Sequence, residues 1–381
     1  MNLLDRYIFK SVFFTCMAAV GLFAFVLIVG NALKDLLGHV LAGQLPAMTI
    51  VRLVALLVPY VIMYALPMGI LTGVLLTLGR LSADSEITAM RSAGLSLGRV
   101  ARPVLLLGGL GLVLALYVNF EFMPRARTQY HVEFTREITA NPLRVIVPKT
   151  FVRDFKGYVV YIGELEGEIL RDFWLLRLDD DNRVTGFVHA RSGRIVYDAQ
   201  ANDFILTLTQ AQSETRDEKK PEDFSSGLYV ASFDKTEEVR ISLDRLFGRS
   251  ARRDKLDWRT YGELKAEAAR LDALAVPAAE AEKHEQAKLR IKLVVQDKLT
   301  LAVSVLSFAL IGVPLGIKAS RRETSANLGL ALILVMAYYF LTVMVKWLDR
   351  HPEYHPDVLL WAPNVLLIGL AVWLFRRVER R

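Results

Sequence analysis

The sequence predicts an α-helical membrane protein with six transmembrane helices and an inserted, water-exposed β domain, a sandwich or jelly roll. Three observations carry that prediction. Long apolar runs lie near both ends of the 381-residue chain, and about 20 such residues cross a bilayer as a helix. Lys and Arg gather in alternate loops between the runs. Between about Pro124 and Gln296 the runs stop, and apolar residues recur with the short period of strands.

The six runs fall near 10–32, 50–79, 101–123, 298–317, 326–347 and 358–375. The run from Val12 to Val29 is longer than the 7–15 residues of a signal h-region. The Asn31-Ala32-Leu33-Lys34 stretch after it provides no small-x-small cleavage site, so it reads as a retained span. The second run carries Pro59 and Pro67, residues that kink helices. Cys16 is the one cysteine, which excludes an intrachain disulfide or a CxxC site. The net charge of +7 is concentrated beside apolar segments and therefore reports topology rather than a nucleic-acid partner.

Orientation follows from the short loops. One side holds Arg6, Lys10, Arg80, Arg91, Arg99, Arg102, Lys318, Arg321, Arg322, Arg376, Arg377, Arg380 and Arg381. The other holds Lys34, Lys346 and Arg350. Positive loops stay inside, so both termini are expected in the cytoplasm and the central domain outside. The expected division is 1–123 for a first three-span half, 124–257 for the β domain, 258–296 for a helical return and 297–381 for a second half.

Candidate strands include Val145–Val147, Tyr158–Ile162, Phe173–Leu178, Arg194–Tyr197 and Phe204–Thr209. Polar clusters such as Asp179-Asp180-Asp181-Asn182 and Ala201-Asn202-Asp203 separate them. The charged stretch 213–223 reads as a loop. From Trp258 the period becomes helical, with Leu264, Ala268, Leu271 and Leu274 on one face, before Pro277 interrupts.

The connector between the second and third runs is the most informative segment. It reads Gly79-Arg80-Leu81-Ser82-Ala83-Asp84-Ser85-Glu86-Ile87-Thr88-Ala89-Met90-Arg91-Ser92-Ala93-Gly94. A short amphipathic helix is expected over about 83–97, with Ser82 or Asp84 as cap and Gly94 as stop. Asp84 and Glu86 suit the positive end of its dipole, and Ile87 and Met90 share a face. One reading is a solvated interfacial connector. The other is a coupling helix that enters a groove on a cytoplasmic motor, with Glu86 as the anchoring charge. An acidic first turn gains nothing from anionic lipid, which favours a protein partner.

These residues resemble the lipopolysaccharide-export permease family of the LptF/LptG type, whose connectors carry a similar GRL-x-x-x-SEI-x-x-M-x-x-x-G pattern. Leu4-Asp5-Arg6-Tyr7, Pro59, Pro67, Tyr338-Tyr339 and Trp361-Ala362-Pro363-Asn364 extend the resemblance across both membrane halves. One departure is His351-Pro352-Glu353-Tyr354-His355-Pro356-Asp357, where family members often have Gly-x-x-Pro-Pro. The start is closer to the G type and the connector to the F type, which leaves the subunit type open.

The resemblance implies a bacterial inner-membrane permease that pairs with a second homologous subunit. It implies binding to a cytoplasmic ATPase dimer through Asp84, Glu86, Ile87, Met90 and Arg91. It also implies that lipopolysaccharide passes through a periplasmic jelly-roll domain to a bridge of similar domains. ATP and Mg would reside in the ATPase. This chain is expected to bind no cofactor, because no Gly-x-x-x-x-Gly-Lys-Ser/Thr loop occurs in it.

A lipid cargo of that kind needs basic groups for phosphate and apolar walls for acyl chains. Lys34, Arg125 and Arg127 are the phosphate candidates, since Arg binds phosphate in a fork; snorkelling to the interface is their alternative role. Phe151, Tyr161, Phe173 and Trp174 are candidates to line an acyl-chain groove, or else to form ordinary sandwich core. His351 and His355 have metal-ligand spacing, but Pro352 and Pro356 argue against a metal-binding helix there. Two other classes stay open: a mechanical or sensory relay coupled to an ATPase, and a membrane enzyme that modifies lipids. A cavity between the bundle halves discriminates for transport.

Overall fold

The computed structural model describes residues 3–32, 46–140, 149, 151–152, 157–166, 168–179, 183–198, 203–215, 229–236, 239–242, 256–273, 281–318, 324–350 and 354–379. Candidate strand Val145–Val147 and residues Lys34 and His351 lie outside them. The chain divides into two compact units, one holding Met1–Leu36, Val51–Tyr130 and Leu256–Arg381, the other Leu37–Ile50 and His131–Lys255.

The described residues include ten α-helices: α1 (Leu3–Leu27), α2 (Ala47–Ala83), α3 (Glu86–Ser92), α4 (Leu97–Tyr117), α5 (Met123–Ala140), α6 (Tyr261–Ala273), α7 (Ala281–Lys318), α8 (Thr324–Lys346), α9 (Pro356–Leu359) and α10 (Ala362–Glu379). Among the described residues, six helical stretches are long and apolar enough to cross a membrane: Leu3–Gly30, Ala47–Ala83, Leu97–Phe134, His284–Ile317, Gly329–Lys346 and Pro356–Glu379. Helix α2 continues through Pro59 and Pro67.

Helices α2 and α7 form the hub of the helical unit. One apolar cluster joins Ile8, Val12 and Cys16 of α1 to Val74 and Leu78 of α2, Ile87 of α3, Val104 of α4 and Val305 of α7. A second joins Leu71 and Leu75 of α2 to Phe308 of α7, Tyr338 of α8 and Leu367 of α10. Close crossings need small residues where no hydrophobic force separates helix from lipid. Gly69-x-x-x-Gly73 in α2 meets α1: a Cβ on Gly73 would lie 2.5 Å from the Cα of Cys16, and one on Gly69 2.6 Å from the nitrogen of Val20. Gly312-x-x-x-Gly316 in α7 meets α2 in the same way, against Val74 and Leu78.

The second unit is built on an antiparallel sheet of seven strands: β1 (Phe151–Val152), β2 (Tyr158–Glu166), β3 (Ile169–Leu178), β4 (Val184–Asp198), β5 (Asp203–Thr215), β6 (Tyr229–Lys235) and β7 (Val239–Ser242). Strands β1 to β6 are neighbours in chain order, and β7 shares the outer edge of β5 with β6. One face is apolar, with Ile162, Leu170, Phe173, Ala190, Leu206, Leu208 and Ala211 in a buried cluster. In strand β3, Asp172 has a left-handed φ of 52° while the register stays continuous across it; the register shifts between Arg177 and Leu178. The neighbour across the pair is Gly163, where a Cβ would lie 2.9 Å from that of Asp172.

Candidate functional site

Helix α3 occupies the connector. Gly94 ends it as the sequence predicts: with φ of 83°, its N–H donates to the Arg91 carbonyl at 2.9 Å, and that of Leu95 donates to Met90 at 3.1 Å. This pair of bonds is a Schellman motif. The start differs from expectation. Ser85, in a left-handed conformation with φ of 62° and no side-chain cap, occupies the N-cap position. Ser82 instead donates from Oγ to the Ile317 carbonyl at 2.9 Å, tying the end of α2 to α7.

Within α3, Ile87 is buried and Met90 partly buried against the bundle. Asp84 and Arg91 are exposed, and Glu86 is half-exposed. The five candidate coupling residues therefore split: Asp84, Glu86 and Arg91 face solvent, whereas Ile87 and Met90 seat the helix on its own scaffold. Helix α1 meets this region at three points. Tyr7 Oη donates to Glu86 Oε1 at 3.3 Å, Arg80 Nη2 donates to Ser11 Oγ at 2.9 Å, and Arg99 Nε lies 3.9 Å from Asp5 Oδ1.

A cavity of about 510 Å³ opens between α1, α2 and α8. Phe23 and Leu27 of α1, Tyr60 and Tyr64 of α2, and Val335 and Tyr339 of α8 form much of its lining. Thr72 also lines it, and its buried hydroxyl has no hydrogen-bond partner among the described residues. Both three-span halves contribute to this wall. It is apolar over most of its area, as an acyl-chain site requires.

Comparison with known proteins identifies the arrangement. The family model described as "Lipopolysaccharide export system permease LptF/LptG" matches residues 6–377. This chain belongs to that family. Curated relatives include the "Lipopolysaccharide export system permease protein LptF" of Escherichia coli K12, of Escherichia coli O157:H7 and of Shigella flexneri. Each is 23% identical over 349 residues, covering 89% of this chain and 86% of the relative.

The basic candidates of this LptF/LptG chain occupy different settings at the end of the bundle away from the connector. Arg127 stacks on the cavity residue Tyr60, with its Cζ 4.7 Å from the ring centroid, and lies 5.9 Å from the rings of Tyr130 and Trp258. Arg125 is exposed and paired with Glu121 at 2.6 Å. Nearby, the buried Lys298 donates from Nζ to the Arg259 carbonyl at 2.8 Å, and Lys346 pairs with Asp297 at 2.9 Å. Of the candidates described, Arg127 adjoins the cavity and Arg125 does not line it.

The sheet separates the four aromatic candidates. Phe173 lies in the buried cluster at 3% exposure. Trp174 points to the opposite face, where its register partner is Tyr161, whose ring lies 4.8 Å from that of Phe151. Trp174 Nε1 donates to Asp172 Oδ1 at 2.8 Å, and His189 Nε2 lies 3.1 Å from the same oxygen. His355, with φ of 46°, takes the N-cap position of α9.

A polar cluster inside the bundle escaped sequence reasoning. Asn364 Nδ2 donates to the Thr300 carbonyl at 2.9 Å, and Ser307 Oγ donates to Asn364 Oδ1 at 3.0 Å. Tyr338 Oη donates to the same Thr300 carbonyl at 3.3 Å. The cluster fixes α8 and α10 to α7, one residue from cavity residue Tyr339. Buried Asn beside Tyr in an apolar run was the available signal, because such groups persist where they find partners.

Proposed function

We propose that this chain is a permease subunit of an ABC transporter that extracts lipopolysaccharide from the bacterial inner membrane and passes it to a periplasmic bridge. The reading rests on one observation above the others: an apolar cavity walled by both halves of the bundle, in a chain whose connector presents Glu86. Acyl chains enter the cavity, and Arg127 at its rim meets a lipid phosphate, as do Lys34 and Arg125 at the outer surface. A cytoplasmic ATPase dimer binds the connector and holds ATP and Mg. A second homologous permease completes the pathway, and this chain takes the LptF-type place, in keeping with its curated relatives.

In this reading both termini are cytoplasmic, and the sheet within His131–Lys255 belongs to a periplasmic jelly-roll domain; the expected start of that domain at 124 moves later, because helix α5 runs on to Ala140. The sheet's buried apolar face, including Phe173, belongs to the inside of that domain and Trp174 to its outside. The cavity supports transport over a purely mechanical relay, for which a closed bundle would suffice. The test is affinity purification in mild detergent with mass spectrometry of what copurifies. An ATPase, a second six-span permease and lipopolysaccharide are expected; a clean chain lacking ATPase and lipid would overturn the proposal.

A further inference from the structure

Helix α1 links the connector to the cavity, and its contacts are distributed as in a lever. Its buried residues are Ile8, Val12, Cys16 and Ala19; beyond Ala19 it has none. The tightest crossing is at Cys16 and Val20, where Gly69 and Gly73 bring the two backbones together. At 1.5 Å per residue, Tyr7 lies about 16 Å to one side of this crossing, and Phe23 and Leu27 about 10 Å to the other. One arm therefore ends on Glu86 and the other in the cavity wall.

The contact at the connector end is built to be exchanged. The Tyr7 to Glu86 bond is 3.3 Å long and exposed. A hydroxyl held firmly by a carboxylate comes within 2.5–2.7 Å. A guanidinium or ammonium from a partner would form a shorter, charge-assisted bond with the same oxygen. Glu86 is half-exposed, so such a group can reach it. Ser11 stays tied to Arg80 nearer the crossing, so loss of the Tyr7 contact frees only the tip of the arm.

We infer that Tyr7 is a positioning residue: its phenol holds Glu86 in the unengaged connector, and a cationic side chain of the motor displaces it, freeing the tip of α1 ahead of the buried Ile8. This rests on the coupling role given to Glu86 above. Motor binding is thereby sensed by the helix that borders the lipid, through a competition for a single carboxylate.

The test uses the complete transporter in nanodiscs, with the wild-type chain, Tyr7→Phe and Glu86→Ala. Tyr7→Phe keeps the ring and removes only the hydroxyl. In the wild type, ATPase binding should raise amide exchange over residues 3–12 about three- to ten-fold, the scale set by losing one hydrogen bond. Tyr7→Phe should show the raised exchange without ATPase, capture ATPase at least as well, and move several-fold less lipid per ATP hydrolysed. Wild-type exchange and coupling in Tyr7→Phe would overturn the inference. Loss of capture in Glu86→Ala with a silent Tyr7→Phe would reject the role of Tyr7 alone. Undiminished capture in Glu86→Ala would reject the anchoring role of Glu86, and the inference with it.

Discussion

Gly73 of α2 lies so close beneath Cys16 of α1 that a Cβ on the glycine would stand 2.5 Å from the cysteine Cα. No rotamer change relieves a clash with backbone, so the two helices would have to separate. Gly21, on the same helix α1, has open space within 4 Å of where its Cβ would be.

Gly73→Leu should therefore destabilise the bundle by more than the about 1–3 kcal/mol of ordinary overpacking. Gly21→Leu should leave stability unchanged. Thermal unfolding of the two variants in one detergent provides the comparison. Equal melting temperatures would mean that α1 packs elsewhere.

The Gly69 and Gly73 pair was readable in the sequence, since Gly-x-x-x-Gly in an apolar stretch signals a close helix crossing. Its partner was not readable, because Cys16 and Gly73 are distant in the chain. The same divide runs through the rest of the fold. Gly94 announced the end of α3 through a local rule, whereas the left-handed Ser85 that starts it obeys tertiary ties such as Ser82 to Ile317. Period two alone separates neighbours Phe173 and Trp174 onto opposite faces, so grouping them in one groove ran against a rule already available. The Tyr7 to Glu86 contact spans 79 positions and follows from no spacing.

Asn364 joins α7 to α10 through two well-formed bonds in a buried setting. Interhelical hydrogen bonds in membranes average only about 0.6 kcal/mol, because the unfolded state also finds partners. Asn364→Leu should then cost about 1–2 kcal/mol, summing two such bonds and the loss of fit. A cycle with Ser307→Ala, followed by unfolding in mixed micelles, should be non-additive. Additive losses would show that the two side chains do not interact.

Thr260 and Glu263 form a capping box at the start of α6. The Thr260 N–H donates to Glu263 Oε2 at 2.8 Å, and the Glu263 N–H donates to Thr260 Oγ1 at 3.4 Å. The backbone bond from Thr260 holds the Glu263 carboxyl below its usual value. A depressed acid stabilises the folded state above its unfolded value, near pH 4.3. That contribution disappears as pH falls through the lower folded value. Amide protection over α6 should accordingly fall on acidification in the wild type and change less in Glu263→Gln. Identical acid responses would remove Glu263 from the linkage.

Arg127 stacks on Tyr60, which lines the cavity, so replacing it affects the packing of the rim as well as its charge. Arg127→Lys keeps the charge but gives up the planar stack and the phosphate fork. If Arg127 binds a lipid phosphate, Lys should retain less lipid than Arg, and Gln less still. A cation–π contact alone is worth about 0.5–2 kcal/mol, so the folded bundle should survive both changes with modest loss of stability. Native mass spectrometry of the purified transporter reads lipid retention, and thermal unfolding reads the packing. Unchanged retention in Arg127→Gln, with a lowered melting temperature, would assign Arg127 to the aromatic stack and leave phosphate contact to other basic groups.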